Sequence, residues 1–367
     1  MTRLRSGGKE DYLIVTLVGL LTIFGLAMLS SASFDLGKIR FGDTYYHLKH
    51  QLLYGLSFGV VGFFLASKIY YKYWEKWALP LMLVGILGII FPLTSLGVEI
   101  NGASRWIQIG TFSFQPAEVL KLFLVIYLAA LFSKRITLAR DEFRYNFLPF
   151  IIISIIVGGL LFAQPATGTA VIILGSALTI YLVSGARIRY VLGTMILGAL
   201  IFAVLIYSSP YRLERMKGFI YPSSNIYGSN YQLNQALTAI GSGGVWGVGY
   251  GKSTAKYNSL PEPIGDSIFA VIAEELGFVG TVSLLLMFSL LVTRFLLIAY
   301  KSGDKFARLL IVGFASLVAL QSFLHIGANS GLLPLTGVPL PFISYGGTSL
   351  AVFLTMTGIV RNISKYT

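Results

Sequence analysis

Long uncharged apolar runs constrain this chain more than any other feature. Two of them, 145–186 and 309–360, are each long enough for two membrane crossings, because a helix needs about 20 apolar residues to span a bilayer. Shorter runs of the same kind cover 12–34, 52–66, 77–98, 190–211 and 276–293. The pattern predicts an all-α integral membrane protein.

The composition agrees with this class of protein. Hydrophobic residues make up 55% of the chain and charged residues only 12%, whereas a soluble protein carries about 25% charged residues. We expect a single polytopic domain over 1–367, with about ten transmembrane helices and both termini cytoplasmic. The predicted crossings are 12–32, 50–67, 77–95, 116–133, 147–163, 168–185, 190–208, 270–300, 308–328 and 342–361. The first run is full length and lacks a small-residue cleavage site, so no cleavable signal peptide is expected.

The net charge of +13 indicates orientation rather than a polyanionic partner. Most of the Lys and Arg residues fall in short loops on one side of the predicted helices, as the positive-inside rule requires of cytoplasmic loops. No basic-aromatic module is present, so we expect no nucleic acid partner. P-loop and GxGxxG motifs are also missing from the sequence, so we expect no nucleotide cofactor.

Three segments on the opposite, outer side are longer or richer than simple connections. They are 95–115, 209–265 and 329–344. The outer loop 209–265, between the seventh and eighth crossings, is too long for a mere connection. Within it, Tyr231–Ile240 is predicted to form a short amphipathic helix. Because all three segments face one side, they can converge over one cavity.

Three carboxylates lie at the entrance of an apolar helix, in the run LPEPIGDSIFAVIAEELG at 260–277. They are Asp266, Glu274 and Glu275. An ionisable group at membrane depth costs several kcal/mol unless it is paired or hydrated, so each is a candidate functional residue. Asp266 either caps the helix or acts as a general base for a hydroxyl group. The two glutamates either line the cavity or bond to neighbouring helices.

A second candidate group lies on and around the fourth crossing. Glu118 and Lys121 are spaced i,i+3 and can pair. They form either a self-satisfied buried pair or a set in which Lys121 contacts and orients Asp266. Arg105 stands beside Trp106 on the outer side, where its guanidinium suits bidentate binding of a diphosphate. The alternative is an arginine that snorkels at the membrane surface.

Outer cations add to this group. Arg212 and Arg215 run against the positive-inside trend, which makes an anionic ligand plausible. The histidines His47, His50 and His325 lack ligand spacing. A divalent cation would therefore be held by oxygen atoms, as magnesium usually is.

Four long motifs occur in an order typical of one family. They are NGASRWIQIGTFSFQPAEVLKL, IGSGGVWGVGYGKS, LPEPIGDSIFAVIAEELG and GLLPLTGVPLPFISYGGTSL. On these motifs the chain resembles the SEDS family of shape, elongation, division and sporulation proteins, over nearly its whole length. The main branches of that family are RodA and FtsW. PYRLERM and the LPEP that precedes Asp266 look more like the FtsW branch.

The resemblance implies a function. Members are bacterial glycosyltransferases with ten crossings in the cytoplasmic membrane, acting in cell division or cell-shape maintenance. They polymerise lipid II, the undecaprenyl-diphosphate disaccharide-pentapeptide, together with a class B penicillin-binding transpeptidase and other divisome or elongasome proteins. The essential aspartate of the family matches Asp266, and further family residues match Arg105, Glu118 and Lys121. A divalent cation, Mg or Mn, is expected, held mainly by the substrate diphosphate and carboxylates.

One departure and two rival functions remain. Many members have an acid where this chain has Ala166, so any role of that carboxylate must be dispensable or relocated here. The chain could instead be a transporter that flips the same lipid-linked precursor, since Glu118, Lys121, Glu274 and Glu275 could also line a substrate path. No inverted repeat is evident to favour transport. A non-catalytic scaffold for a transpeptidase is the other rival.

Overall fold

Helices account for most of the fold, as the apolar runs predict. The computed structural model describes residues 10–94, 97–100, 103–110, 112–135, 142–221, 230–257 and 259–367. The α-helices are α1 (Tyr12–Ala32), α2 (Phe34–Phe41), α3 (Tyr46–His50), α4 (Ser57–Lys68), α5 (Lys72–Lys76), α6 (Ala78–Ile90), α7 (Pro116–Arg135), α8 (Leu148–Ala163), α9 (Thr167–Val183), α10 (Ile188–Tyr207), α11 (Pro210–Ile220), α12 (Tyr231–Ser242), α13 (Ile268–Lys301), α14 (Lys305–Asn329) and α15 (Gly347–Ser364). One π-helical turn leads into α4, another leads into α8, and a 3-10 turn ends α6.

Seven helices of the described residues are long and apolar enough to cross a membrane. They are Tyr12–Ala32, Tyr46–Lys68, Pro116–Lys134, Phe143–Ala163, Ile188–Tyr207, Ile268–Lys301 and Lys305–Asn329. Shorter apolar helices cover Ala78–Leu93 and Thr167–Val183. The chain is therefore a multi-pass membrane protein, and the count of ten crossings stays a prediction.

The centre of the bundle is formed by α14 and its neighbours. Helix α14 packs against α13, α9 and α7, while α15 packs against α4 and α7. The side chains of α14 and α15 are mostly buried. By contrast, α10 exposes most of its apolar side chains, which suits a helix surrounded by lipid.

Both ends of the described chain meet at one end of the bundle. Glu10 pairs with Lys365 at 3.0 Å and with Arg361 at 2.5 Å. The Asp11 carboxylate caps α1 and also pairs with Arg294 at 2.7 Å. The two ends of the described chain thus lie on the same side, as an even number of crossings requires.

The segment after α6 contains a small antiparallel sheet that the sequence analysis treated only as an outer segment. Strands β1 (Val98–Ile100), β2 (Ala103–Ile109) and β3 (Phe112–Phe114) pair in that order. Val98 lies opposite Trp106, and Ile107 lies opposite Phe114. The sheet gives Arg105, in β2, a defined place at the end of the bundle.

Helix α13 is broken at Gly277. Its φ of 65° and ψ of −162° interrupt the helical hydrogen bonds, and a side chain there would collide with the backbone of Val245 and Gly247. The glycine-rich loop 243–249 supplies the missing partners. Its N–H groups bind the carbonyls of Glu274 and Glu275, and its carbonyls accept from the N–H groups of Phe278 and Val279. Backbone polar groups at membrane depth need such partners.

Candidate active site

Asp266 lies in the loop that leads into α13. The helix begins at Ile268, its N-cap is Ser267, and no side chain caps it. Asp266 is one residue too early to be the cap, so the capping alternative is wrong. The carboxylate is therefore not committed to the helix and is available for other chemistry.

The backbone around Asp266 is held by two other parts of the chain, 344–345 and Asn329. The N–H of Tyr345 donates to the Ile264 carbonyl at 2.9 Å, and the Ser344 hydroxyl donates to the Gly265 carbonyl at 2.8 Å. The side-chain amide of Asn329 donates to the Asp266 carbonyl at 2.8 Å. Three successive carbonyls of the loop are thereby fixed.

The surroundings of the Asp266 carboxyl raise its pKa to about 6. Burial contributes most, and the nearby charge of Glu262 adds to it, while Arg215 and Arg105 act in the opposite direction. The side chain is nonetheless partly accessible to solvent. A carboxyl with this pKa is a stronger base than an ordinary aspartate, and it is still ionised at neutral pH.

Two guanidinium groups lie near enough to this carboxyl for their charges to lower its pKa, and both are bonded to backbone carbonyls. Arg105 donates from Nε to the Gln164 carbonyl at 2.9 Å and also donates to the Pro165 carbonyl. Arg215, on α11, donates to the Leu335 carbonyl at 3.0 Å. Each guanidinium carries five N–H donors in a planar fork, a geometry that matches the oxygens of a diphosphate.

The predicted convergence of the outer segments is confirmed. Arg105 comes from the first segment, Arg215 from the second and Gly337 from the third. A Cβ built at Gly337 would lie 3.3 Å from Oδ2 of Asp266, and the φ of this residue is +65°. Only glycine adopts that conformation without strain, so the third segment can press its backbone against the carboxylate.

The Glu118–Lys121 pair lies apart from Asp266. Its Nζ and Oε2 atoms are 2.7 Å apart, and both side chains are buried. Lys121 also donates to Gln321 at 2.8 Å and lies 5.1 Å from the centre of the Phe353 ring. Among the described residues no hydrogen bond or ion pair joins Lys121 to Asp266, so that predicted contact is wrong. The structure instead agrees with the other prediction, a buried ion pair in which Glu118 and Lys121 satisfy each other.

Glu274 and Glu275 are both buried, and their carboxylates hold the segment 251–256, which follows the glycine-rich loop, onto α13. Glu274 accepts from the Ser253 hydroxyl and from Thr254, at 2.8 Å for its N–H and 3.0 Å for its hydroxyl. Glu275 pairs with buried Lys256 at 2.8 Å and accepts from the Ser31 hydroxyl at 2.6 Å. These contacts are with a loop and with α1, and they favour a structural role over the predicted lining of a cavity.

Two further predicted positions can be placed. Arg212 donates to the Leu205 carbonyl at 3.2 Å and lies over the Phe162 ring. It therefore faces α10 and α8, and its part in anion binding stays a prediction. Ala166 is the buried N-cap of α9. It directly follows Gln164 and Pro165, whose carbonyls bind Arg105. The acid that many members have at this position would therefore lie next to the carbonyls that hold Arg105.

The predicted divalent cation is not tested by the geometry. The described residues contain no group of three or more His, Asp or Glu side chains that could hold a metal. Asp266 and Glu262 are the acids of the site. Magnesium is often held by one or two carboxylates, waters and substrate phosphates, so this donor set fits an ion carried largely by a diphosphate.

Comparison with known sequences decides the family. Residues 11–367 match the sequence model of the FtsW/RodA/SpoVE family of cell cycle proteins. The chain belongs to this family. Its resemblance to SEDS proteins is thereby confirmed, and the similar proteins below support an FtsW-like member.

Several curated relatives match over almost their full length. The chain is 37% identical to stage V sporulation protein E of Bacillus subtilis over 98% of both chains. It is 36% identical to a probable peptidoglycan glycosyltransferase FtsW of Coxiella burnetii, covering 99% of this chain and 98% of the relative. Another such FtsW, of Trichlorobacter lovleyi, is also 36% identical, covering 97% and 93%.

Solved structures share the fold. A chain from a peptidoglycan synthase complex, described for its coordination of polymerization and crosslinking, superposes with a TM-score of 0.80 at 28% identity, over 97% of each chain. The crystal structure of the rod shape determining protein RodA of Thermus thermophilus gives a TM-score of 0.71 at 28% identity, covering 97% of this chain and 96% of that one.

Proposed function

We propose that this protein is a peptidoglycan glycosyltransferase that polymerises lipid II into glycan strands at the outer face of the bacterial cytoplasmic membrane. The observation that carries this proposal is the Asp266 carboxyl, which is partly accessible, has a pKa of about 6 and lies near the charges of Arg105 and Arg215. A base beside two cations suits transfer of a sugar from a diphosphate. FtsW relatives named as peptidoglycan glycosyltransferases support the reaction class.

The proposed reaction inverts the anomeric carbon. Asp266 removes the proton of the 4-hydroxyl of the acceptor's N-acetylglucosamine. The oxygen bonds to the anomeric carbon of the donor's N-acetylmuramic acid while the bond to undecaprenyl diphosphate breaks. The diphosphate leaves with the bonding electrons, and the proton passes from Asp266 to water.

The two arginines are proposed to stabilise the charge that develops on the leaving diphosphate. Preorganised donors aimed at developing charge supply a large share of many enzymes' rate enhancement. Arg105 and Arg215 are each fixed on a carbonyl, so little reorganisation is needed when the bond breaks. A divalent cation, Mg or Mn, would add positive charge at the diphosphate.

The partners follow from the same relatives. A similar chain belongs to a synthase complex that coordinates polymerization and crosslinking. We therefore propose that this protein works as one polytopic domain beside a class B penicillin-binding transpeptidase, in division or elongation. Whether activity requires that partner is settled by running the assay below with and without it.

Purified protein incubated with labelled lipid II tests the proposal. The parent is expected to form glycan strands, and Asp266→Asn is expected to lose at least 100-fold in rate, since general base catalysis supplies about 10²–10⁴-fold. Asp43→Asn is the matched control, because Asp43 is an aspartate on the same side that pairs with exposed Lys49. Strand formation by neither parent nor control, under every partner and metal condition, would instead favour transport or scaffolding.

A further inference from the structure

Three buried polar side chains form one row on α14. Gln321, His325 and Asn329 are spaced four residues apart, so they share a face of the helix. Gln321 donates to the Pro339 carbonyl at 2.7 Å, and a ring nitrogen of His325 lies 2.7 Å from the Val338 carbonyl. The row therefore holds the segment that presses Gly337 against the Asp266 carboxylate.

The last member of the row holds Asp266 itself. Asn329 is 1% exposed, and its Nδ2 donates to the Asp266 carbonyl at 2.8 Å and to the His325 carbonyl at 2.9 Å. The first helical bond of α13 goes to the Ser267 carbonyl, so the carbonyl of Asp266 has no partner within the helix. A carbonyl that is partly shielded from water needs a donor from elsewhere, and Asn329 provides it.

Ser344 holds the preceding carbonyl from the other side. It is 4% exposed, it accepts from the Leu340 N–H at 2.8 Å, and it donates to the Gly265 carbonyl at 2.8 Å. Ser344 thus fixes the peptide unit between Gly265 and Asp266, and Asn329 fixes the peptide unit between Asp266 and Ser267. Two adjacent peptide planes set the direction in which the carboxylate leaves the backbone.

We infer that Asn329 and Ser344 are positioning residues that aim the Asp266 carboxylate at the acceptor hydroxyl. This inference rests on the proposed function. Catalytic geometry is sensitive to displacement, and a shift of about 1 Å can cost about 100-fold in rate. Neither residue contacts the reacting atoms. Loss of the Asn329 or Ser344 hydrogen bond should therefore slow the chemical step and leave substrate binding intact.

Asn329→Asp is the sharpest test, because it keeps the side-chain shape and replaces the donating amide with an oxygen. We expect kcat for lipid II polymerisation to fall at least 10-fold while KM stays within about 3-fold, the pattern of a lost transition-state interaction. Ser330→Ala is the matched control, since within the described part of the chain the neighbouring Ser330 hydroxyl bonds to carbonyls of α14 alone, at Ile326 and Gly327. It should retain the parent kcat.

The remaining outcomes are also decisive. Ser344→Ala is measured in parallel and carries the test by the same criterion should Asn329→Asp not fold. An unchanged kcat in the folded variants overturns the inference, as does a rise in KM that matches the fall in kcat. If the parent protein is inactive, the proposed function is wrong as well. If the parent and the variants are all active, only the positioning role is wrong.

Discussion

The raised pKa of Asp266 links activity and stability in opposite directions. Burial and the charge of Glu262 favour the protonated carboxyl, against the pull of Arg105 and Arg215. The folded protein binds that proton more tightly than the unfolded chain does. Protonation therefore stabilises the fold below the ordinary aspartate pKa, and this contribution is lost as pH rises through about 6. Catalysis needs the ionised form that the fold disfavours.

The polymerisation rate is expected to follow the ionised fraction of Asp266. It should be near its plateau at pH 7.5 and fall about tenfold for each unit below pH 6, because the base must be deprotonated. Initial rates with saturating lipid II between pH 5 and 8 measure this. A flat profile across that range would contradict the assignment of Asp266 as the base.

Removal of the charge should stabilise the protein. At pH 8, Asp266→Asn is expected to raise the free energy of unfolding by no more than about 3 kcal/mol, the equivalent of a shift of about two pKa units. The gain should shrink toward pH 5, where the parent carboxyl is protonated. Thermal unfolding of the detergent-solubilised variants at both pH values measures it. A large loss of stability at both would mean that Asp266 is structural.

The elements differ in how far local sequence determines them. The predicted crossing 12–32 coincides with α1, and the predicted amphipathic helix at 231–240 lies within α12 (Tyr231–Ser242). Both predictions hold because hydrophobic period and length are local properties. The sheet Val98–Phe114 was not predicted, because an apolar-run analysis looks for crossings and passes over short strands. Its hairpin signal, Asn101-Gly102, was present in the sequence.

The charged residues of the site could be predicted from the sequence, whereas the uncharged residues that hold the backbone of Asp266 could not. Asp266 and Arg105 stand out as charged residues in apolar or outer motifs, and the structure brings them together. Asn329 and Ser344 were missed, because uncharged polar residues at helix ends are common and their partners lie 63 and 79 positions away. The one available signal was an asparagine ending an apolar crossing. The predicted Lys121–Asp266 contact failed because Lys121 has a partner one turn away.

The segment 251–256 is held on α13 by the buried ion pair between Lys256 and Glu275. Lys256→Met leaves the Glu275 carboxylate buried without its cation, and such a loss costs about 3–5 kcal/mol. We expect a clear fall in the thermal unfolding temperature of Lys256→Met. Lys252→Met, four residues earlier and exposed, should leave it unchanged. Equal effects of the two substitutions would show that the pair does not hold the segment.

The orientation of the whole molecule can be tested without background, because the chain contains no cysteine. A cysteine at exposed Leu332, beside the site, is expected to react with a membrane-impermeant maleimide added outside intact cells. A cysteine at exposed Lys301, at the other end of α13, should react only after permeabilisation. The reverse result would place Asp266 in the cytoplasm and exclude polymerisation at the outer face.

The break at Gly277 separates α13 into two rods, and the glycine-rich loop 243–249 bonds to the backbone of both. The short rod follows the loop that contains Asp266, and the long rod runs on through the bilayer to Lys301. A thicker or thinner bilayer changes the tilt of a spanning helix. Because the loop holds both rods at the break, we expect a change of tilt to be passed on toward Asp266, so that the polymerisation rate depends on lipid chain length.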